Sequence, residues 1–146
     1  MDTEQVRVLL VDDDEDDYVL TRDWLAEVQG TVFVLEWVSS YDAAKSAIAV
    51  AQHDVYLFDY RLGDRNGLEL LRHAIACGCS APIILLTGQG EQAIDIEAMK
   101  AGAADYLEKS QLSAPLLERS IRYALERKRT EAARKQQTQR ERLVVE

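Results

Sequence analysis

The chain has 146 residues, 47% of them hydrophobic and 29% charged, the size and composition of one ordinary globular domain. Its formal net charge of −9 at pH 7 argues against a body that grips phosphate backbones or anionic membrane surfaces, so direct nucleic-acid binding is not expected. No apolar run approaches the ~18 residues needed to cross a bilayer, and the acidic start MDTEQVRVLLVDDD is unlike a signal peptide, so a cytoplasmic protein without a membrane partner is expected.

Short β-branched runs alternate with segments of helical period, the pattern of βαβ units built on a parallel sheet. The first strand is expected at 6–11, followed by the acidic stretch DDDEDD and a helix over about 16–28. A second strand at 31–37 carries Glu36 near its end and reads as an edge strand. The helix after it, at about 42–51, has Asp42 as its expected cap, because a carboxylate there accepts from the free N–H groups of the first turn. Strands at 55–58, 82–87 and 104–107 follow, separated by helices at about 67–77 and 91–101, and a last helix runs from 114, with Ser113 and Pro115 marking its start. VLLV, VYLF and IILL are apolar at consecutive positions, as suits central strands covered on both faces. Gly30, Gly78 and Gly102 stand just past helix ends, where a positive φ lets the last carbonyls be satisfied. Right-handed crossovers wind such strands into a doubly wound α/β sheet that binds ligands at the carboxyl ends of its strands.

Charge divides along the chain. Residues 1–115 carry 8 Lys and Arg against 21 Asp and Glu, whereas 116–146 carry 9 against 5. This basic end lacks Gly and, past Pro115, Pro, and it is rich in helix formers. A seam continued from Ile121 and Leu125 runs through Lys128, Ala132, Lys135, Gln139 and Arg142, which is too polar for a firm coiled coil. A solvated helical extension is expected, with a signalling linker as the functional alternative.

Asp12 and Asp13 follow the first strand, Asp59 the third, Thr87 the fourth and Lys109 the fifth, so all emerge on one edge of a parallel sheet. Carboxylates gathered there repel one another unless a cation offsets them, and hard oxygen ligands suit Mg²⁺. A carboxylate beside Mg²⁺, a lysine and a hydroxyl makes a phosphoryl-transfer site, with Asp59 attacking phosphorus and the cations and Thr87 stabilising the equatorial oxygens. Glu15, Asp16 and Asp17 read as a solvated helix start favoured by the helix dipole. His73, Cys77 and Cys79 match no metal-site spacing and are expected to be structural, His53 has no evident partner, and Trp24 and Trp37 are expected to pack.

VLLVDDDEDD, LFDYRLGDRNGLELL, PIILLTGQG, AGAADYLEKSQL and SIRYAL, in this order and spacing, resemble the receiver domain of bacterial two-component response regulators over about residues 5–128. The resemblance implies a flavodoxin-like five-stranded parallel sheet of order 2-1-3-4-5 with five helices, a receiver over 1–128 and a helical extension over 129–146. It implies Asp59 as phospho-acceptor, and Asp12 and Asp13 as Mg²⁺ ligands together with Asp59 and the Arg61 backbone carbonyl. Thr87 would bond the phosphoryl group and Lys109 would pair with it. Tyr106 falls at the aromatic switch position coupled to Thr87, Gly88 at a position kept small for the donor, and Arg61 and Gln89 at positions that tune the lifetime of the phosphorylated state. A partner histidine kinase or phosphotransfer protein would supply the phosphoryl group, and a downstream output domain or protein would read it. If the chain pairs with itself, the face from the fourth strand to the fifth helix or the C-terminal helix is where pairing is expected. The chain is then an acceptor that assists its own phosphorylation and dephosphorylation, with no turnover expected.

Two positions depart from the family pattern. Ser110 follows Lys109 where a cis-proline is usual, and since a non-proline cis bond costs ~3–4 kcal/mol, either the bond is trans or the loop is strained. Gly63 replaces a common proline, implying a more mobile loop. Two other functions fit parts of the chain. Asp12 and Asp14 match the nucleophile and general acid of a haloacid-dehalogenase-like phosphatase, but no acidic pair follows Lys109 and Asp59 would then have no role. The other is a docking module that works without phosphorylation.

Overall fold

Strand β1 (Glu4–Val11) lies inside a five-stranded parallel sheet because its last four residues are fully or nearly fully buried. In the computed structural model the residues described are 4–145, with side chains from 4 to 134. The elements follow in the order α1 (Glu15–Glu27), β2 (Thr31–Val38), α2 (Tyr41–Val50), β3 (Val55–Asp59), β4 (Arg61–Leu62), β5 (Arg65–Asn66), α3 (Gly67–Ala76), β6 (Ile83–Thr87), α4 (Gln92–Ala101), β7 (Asp105–Glu108) and α5 (Ala114–Val145). A short 3₁₀ turn at Lys109–Gln111 joins β7 to α5.

The sheet order is β2-β1-β3-β6-β7, which is the expected 2-1-3-4-5 once the small β4-β5 hairpin is set aside. The three strands with consecutive apolar residues, β1, β3 and β6, are the central ones, and β2 with Glu36 is an edge. Alternate residues of these strands feed two layers. Leu9, Tyr56, Phe58, Ile83 and Leu85 pack with Leu70, Leu71 and Ala74 of α3, while Val8, Leu10, Leu57, Ile84 and Leu86 pack with Leu25 of α1 and Leu117 and Ile121 of α5. Covering both faces is what requires uninterrupted apolar runs. Trp24 and Trp37 are half-buried against the second layer.

Two local expectations change, and one left open takes a definite form. The cap of α2 is Ser40, whose hydroxyl accepts from the Ala43 N–H at 3.1 Å, and Asp42 lies inside the first turn. Ser40→Ala is therefore expected to lower the unfolding free energy by about 1 kcal/mol, and Asp42→Ala by less, as read by urea denaturation. The loop after β3 is not loose. Arg61 pairs with Asn66 and Leu62 with Arg65 in an antiparallel hairpin, Gly63 takes φ +60°, and its N–H donates to Asp13 Oδ2 at 3.1 Å. A proline at 63 has neither that φ nor that donor. Finally, the Lys109–Ser110 peptide is trans.

Ser113 caps the start of α5 as expected, accepting from the Leu116 N–H at 3.3 Å. The helix runs unbroken to Val145; among the described side chains the last buried one is Ala124, and 126–134 are exposed. Along the seam, Ile121 is buried, Leu125 half-buried, and Lys128 and Ala132 exposed; the side chains of Lys135, Gln139 and Arg142 lie outside the described residues. Among the described residues no helix is long and apolar enough to cross a membrane.

Candidate functional site

The register of the central strands brings the acidic residues together. β1 ends at Val11 opposite Phe58 of β3, so Asp12 and Asp59 leave the sheet side by side, and Asp59 in turn pairs with Leu86, which puts Thr87 and Gly88 just beyond it. Lys109 follows β7 at the same edge.

Asp12 is fully buried and held from several sides. Its backbone N–H donates to Val38 O at 3.2 Å, its carbonyl accepts from the Trp37 indole N–H at 2.7 Å, and Oδ1 accepts from the Asp14 N–H at 2.9 Å. Trp37 is also stacked on Tyr18, with ring centroids 4.8 Å apart. The second oxygen, Oδ2, is 3.1 Å from Lys109 Nζ. That ammonium lies 3.0 Å from Asp59 Oδ2 and is also hydrogen-bonded to Asp17 Oδ2, so one cation faces three carboxylates.

Burial sets the electrostatics. It pushes the Asp12 carboxyl up to about 7; the Asp14 N–H opposes it, Asp59 adds to it, and Lys109 opposes it again. Asp59 is also raised, first by burial, against the pull of Lys109 and of a hydrogen bond from the Arg61 backbone N–H. For Lys109, burial acts downward, but the Asp17 hydrogen bond and the charges of Asp59 and Asp12 outweigh it, and the ammonium is held above its ordinary range. Both partners rise, which fits a buried cluster with more negative than positive groups: the lysine stays charged and the carboxyls hold their protons more firmly than free ones do.

Asp12, Asp17 and Asp59 each offer an oxygen, all within 4.8 Å of one another, and form the one such group among the described residues. Hard oxygen donors of this kind suit Mg²⁺. Asp17 was not expected here. It reaches the site because Asp17, Thr21 and Leu25 lie one helical turn apart on the inward face of α1, and the burial of Thr21 and Leu25 is the signal that could have identified it. Asp13 is exposed and its Oδ2 accepts from Gly63 N–H. Asp14 accepts from Asp16 N–H at 2.9 Å as the cap of α1, a structural use of the residue that the phosphatase reading needs as an acid.

The remaining candidate residues stand around this cluster. Thr87 is buried and its hydroxyl donates to Asp95 Oδ1 of α4 at 2.8 Å. Gly88 N–H donates to Glu91 Oε1 at 2.5 Å. Tyr106 points outward and is 44% exposed. Arg61 and Gln89 are exposed, with Arg61 Nε 3.9 Å from Glu91 Oε2. At the opposite end of the sheet, His73 Nε2 is 3.6 Å from the Cys77 thiol, both cysteines are free, and His53 Nε2 is 3.2 Å from Glu36 Oε1 without a hydrogen bond between them.

Comparison with known proteins places this geometry. The family described as the response regulator receiver domain matches residues 8–121. The C4-dicarboxylate transport transcriptional regulatory protein DctD of Pseudomonas aeruginosa is 35% identical over 125 residues, covering 86% of this chain and 26% of that protein. The response regulator protein PmrA of the same organism is 33% identical over 104 residues, covering 71% of this chain and 46% of its own length. The chain thus spans between a quarter and a half of these relatives. A receiver domain protein (CheY-like) from Methanospirillum hungatei superposes with a TM-score of 0.76 at 26% identity, covering 88% of this chain and 99% of that one. NtrX from Brucella abortus shares the fold with a TM-score of 0.79 at 24% identity, covering 90% of this chain and 29% of that one.

Proposed function

Because this chain belongs to the response regulator receiver domain family, whose members are phosphorylated on aspartate in two-component signalling, we propose that Asp59 is the residue that takes the phosphoryl group. The observation that carries the reading is the placement of Asp59 Oδ2 3.0 Å from Lys109 Nζ, beside Asp12 and at the open edge of the sheet. A carboxylate oxygen of Asp59 forms the new P–O bond as the bond to the donor's leaving nitrogen breaks. Lys109 stays beside that oxygen and offsets the gathering charge, and Thr87 turns toward the phosphoryl oxygens.

Receiver domains bind Mg²⁺ at an acidic cluster, and this chain has Asp12, Asp17 and Asp59 grouped at the corresponding edge. We assign Asp12, Asp13, Asp59 and the Arg61 carbonyl as the residues that hold the ion, with Asp17 alongside. When bound, Mg²⁺ supplies charge neutralisation for the incoming group. Burial raises the carboxyls of both Asp12 and Asp59, and a bound cation would favour their ionised forms.

A histidine kinase or phosphotransfer protein is the donor in this reading, and a downstream domain or protein is the reader. Residues 1–128 form the receiver and 129–146 a helical extension; the exposure of 126–134 along an unbroken helix supports that division. Phosphorylation adds about −1.5 to −2 charge at one point. Thr87 and Tyr106 carry the change to the face between β6 and α5, and Arg61 and Gln89, beside the mouth, set how long it lasts. Self-association, where it occurs, uses that face or the C-terminal helix.

Intact mass tests the assignment. Incubated with Mg²⁺ and phosphoramidate, the native chain is expected to gain one phosphoryl group, labile to hydroxylamine, and Asp59→Asn to gain none. Equal gain in both would move the acceptor elsewhere, while no gain even with an active kinase would favour a docking module.

A further inference from the structure

Three groups at the mouth could neutralise a phosphoryl group on Asp59: the Lys109 ammonium, the Thr87 hydroxyl and the Gly88 amide. Lys109 already faces Asp59. The other two are each engaged by a carboxylate of the same helix start, Thr87 Oγ1 with Asp95 Oδ1 at 2.8 Å and Gly88 N with Glu91 Oε1 at 2.5 Å. Each donor has a single proton, so neither can serve its carboxylate and a phosphoryl oxygen together with full strength.

Glu91 is built into this place. It immediately precedes α4, yet its side chain is only 10% exposed, because it folds back under the loop instead of reaching into water. Gly90, at φ +87°, provides the reversal that turns residue 91 toward residue 88. A Cβ on Gly88 would stand 2.9 Å from Glu91 Oε1, so the absence of a side chain at 88 is what admits the carboxylate. Its other oxygen faces Arg61 Nε at 3.9 Å across the mouth.

We propose that Glu91 and Asp95 are positioning residues that occupy the two donors flanking the acceptor, and that the phosphoryl group obtains those donors by displacing them. The proposal rests on the reading of Asp59 as acceptor and adds how the site is held before the group arrives. One anion replaces another at each donor, so charge-assisted hydrogen bonds are exchanged for others of the same kind. The start of α4 then loses two hydrogen bonds, one to the last residue of β6 and one to the residue after it. This gives the helix a physical reason to shift that does not depend on Tyr106.

The test uses the full chain with Mg²⁺ and phosphoramidate, following the rate of mass gain, and an amide ¹H–¹⁵N spectrum that follows Gly88. Glu91→Ala and Asp95→Ala are each expected to gain the phosphoryl group about fivefold faster, the factor carried by one hydrogen bond of ordinary net strength. Glu91→Gln, which keeps a carbonyl acceptor for Gly88 but no charge, is expected to fall between native and alanine, with the Gly88 amide signal closer to native. Equal acceleration by Gln and Ala would assign the effect to charge at the mouth and overturn the exchange. Unchanged rates in both alanine variants, with the native chain still gaining a phosphoryl group on Asp59, would overturn this proposal alone. No gain in the native chain would overturn the acceptor assignment and the exchange with it.

Discussion

Gly67→Ala is expected to lower the unfolding free energy by ~3 kcal/mol, measured by urea denaturation at constant slope, and to slow phosphoryl gain. An added Cβ would stand 2.3 Å from the Asp59 carbonyl oxygen and 3.0 Å from Leu85 Cδ1. The near atom is backbone at the end of a central strand, so no side-chain rotation relieves the contact. Either α3 withdraws, breaking the 2.8 Å bond from Gly67 N–H to Tyr60 O, or β3 yields and carries Asp59 with it. The glycine is required by this close approach. A loss below ~1 kcal/mol would show that α3 slides freely on the sheet, and the placement of Asp59 would need another explanation.

The metal-free chain is expected to become less stable as pH rises from about 4 to about 7, and added Mg²⁺ to restore most of that loss. The sign follows from Asp12, whose carboxyl is raised from the ordinary 3.8 to about 7 by burial. Between these values the folded chain keeps a proton that the unfolded chain has released, so unfolding becomes easier with each step in pH. Below about 3.8 the contribution is complete, and it is gone above about 7. Asp59, shifted in the same direction, adds to the trend. On the proposed assignment Mg²⁺ would bind the ionised cluster and stabilise only the folded chain, by about 2.7 kcal/mol at a hundredfold excess over its dissociation constant. Thermal melts with chelator or Mg²⁺ at pH 5 and pH 8 test this, with Asp12→Asn expected to flatten both the pH and the Mg²⁺ dependence. Identical pH profiles for native and Asp12→Asn would sink the idea that this buried carboxyl governs stability.

What the sequence disclosed, and what it concealed, divides by the range of the forces involved. Uninterrupted apolar runs in β1, β3 and β6 answer to burial on two faces, which leaves no polar position to blur the signal. The strand ends then place Asp12, Asp59 and Lys109 together through topology alone. Boundaries within one turn were harder. Ser40 and Asp42 are both good caps two positions apart, and the choice between them depends on where the chain leaves β2. The β4-β5 hairpin has two-residue strands, too short for any periodicity to register. Asp17 looked like one more acid at a helix start, and only the inward stripe of Thr21 and Leu25 distinguishes it. The contacts of Glu91 and Asp95 depend on side-chain reach and one glycine turn, which a linear pattern does not encode.

The bond from the Trp37 indole to residue 12 has an optical consequence. The Trp37 indole donates to the carbonyl of Asp12, so a natural fluorophore is tied to the residue bearing the fully buried carboxylate of the site. Indole emission shifts with nearby charge, and here the charge on residue 12 changes whenever a proton leaves or a cation arrives. Trp37 emission is therefore expected to report the state of the acidic cluster, and with Trp24, on α1, as the other tryptophan, a single Trp24→Phe change leaves Trp37 as the sole indole emitter.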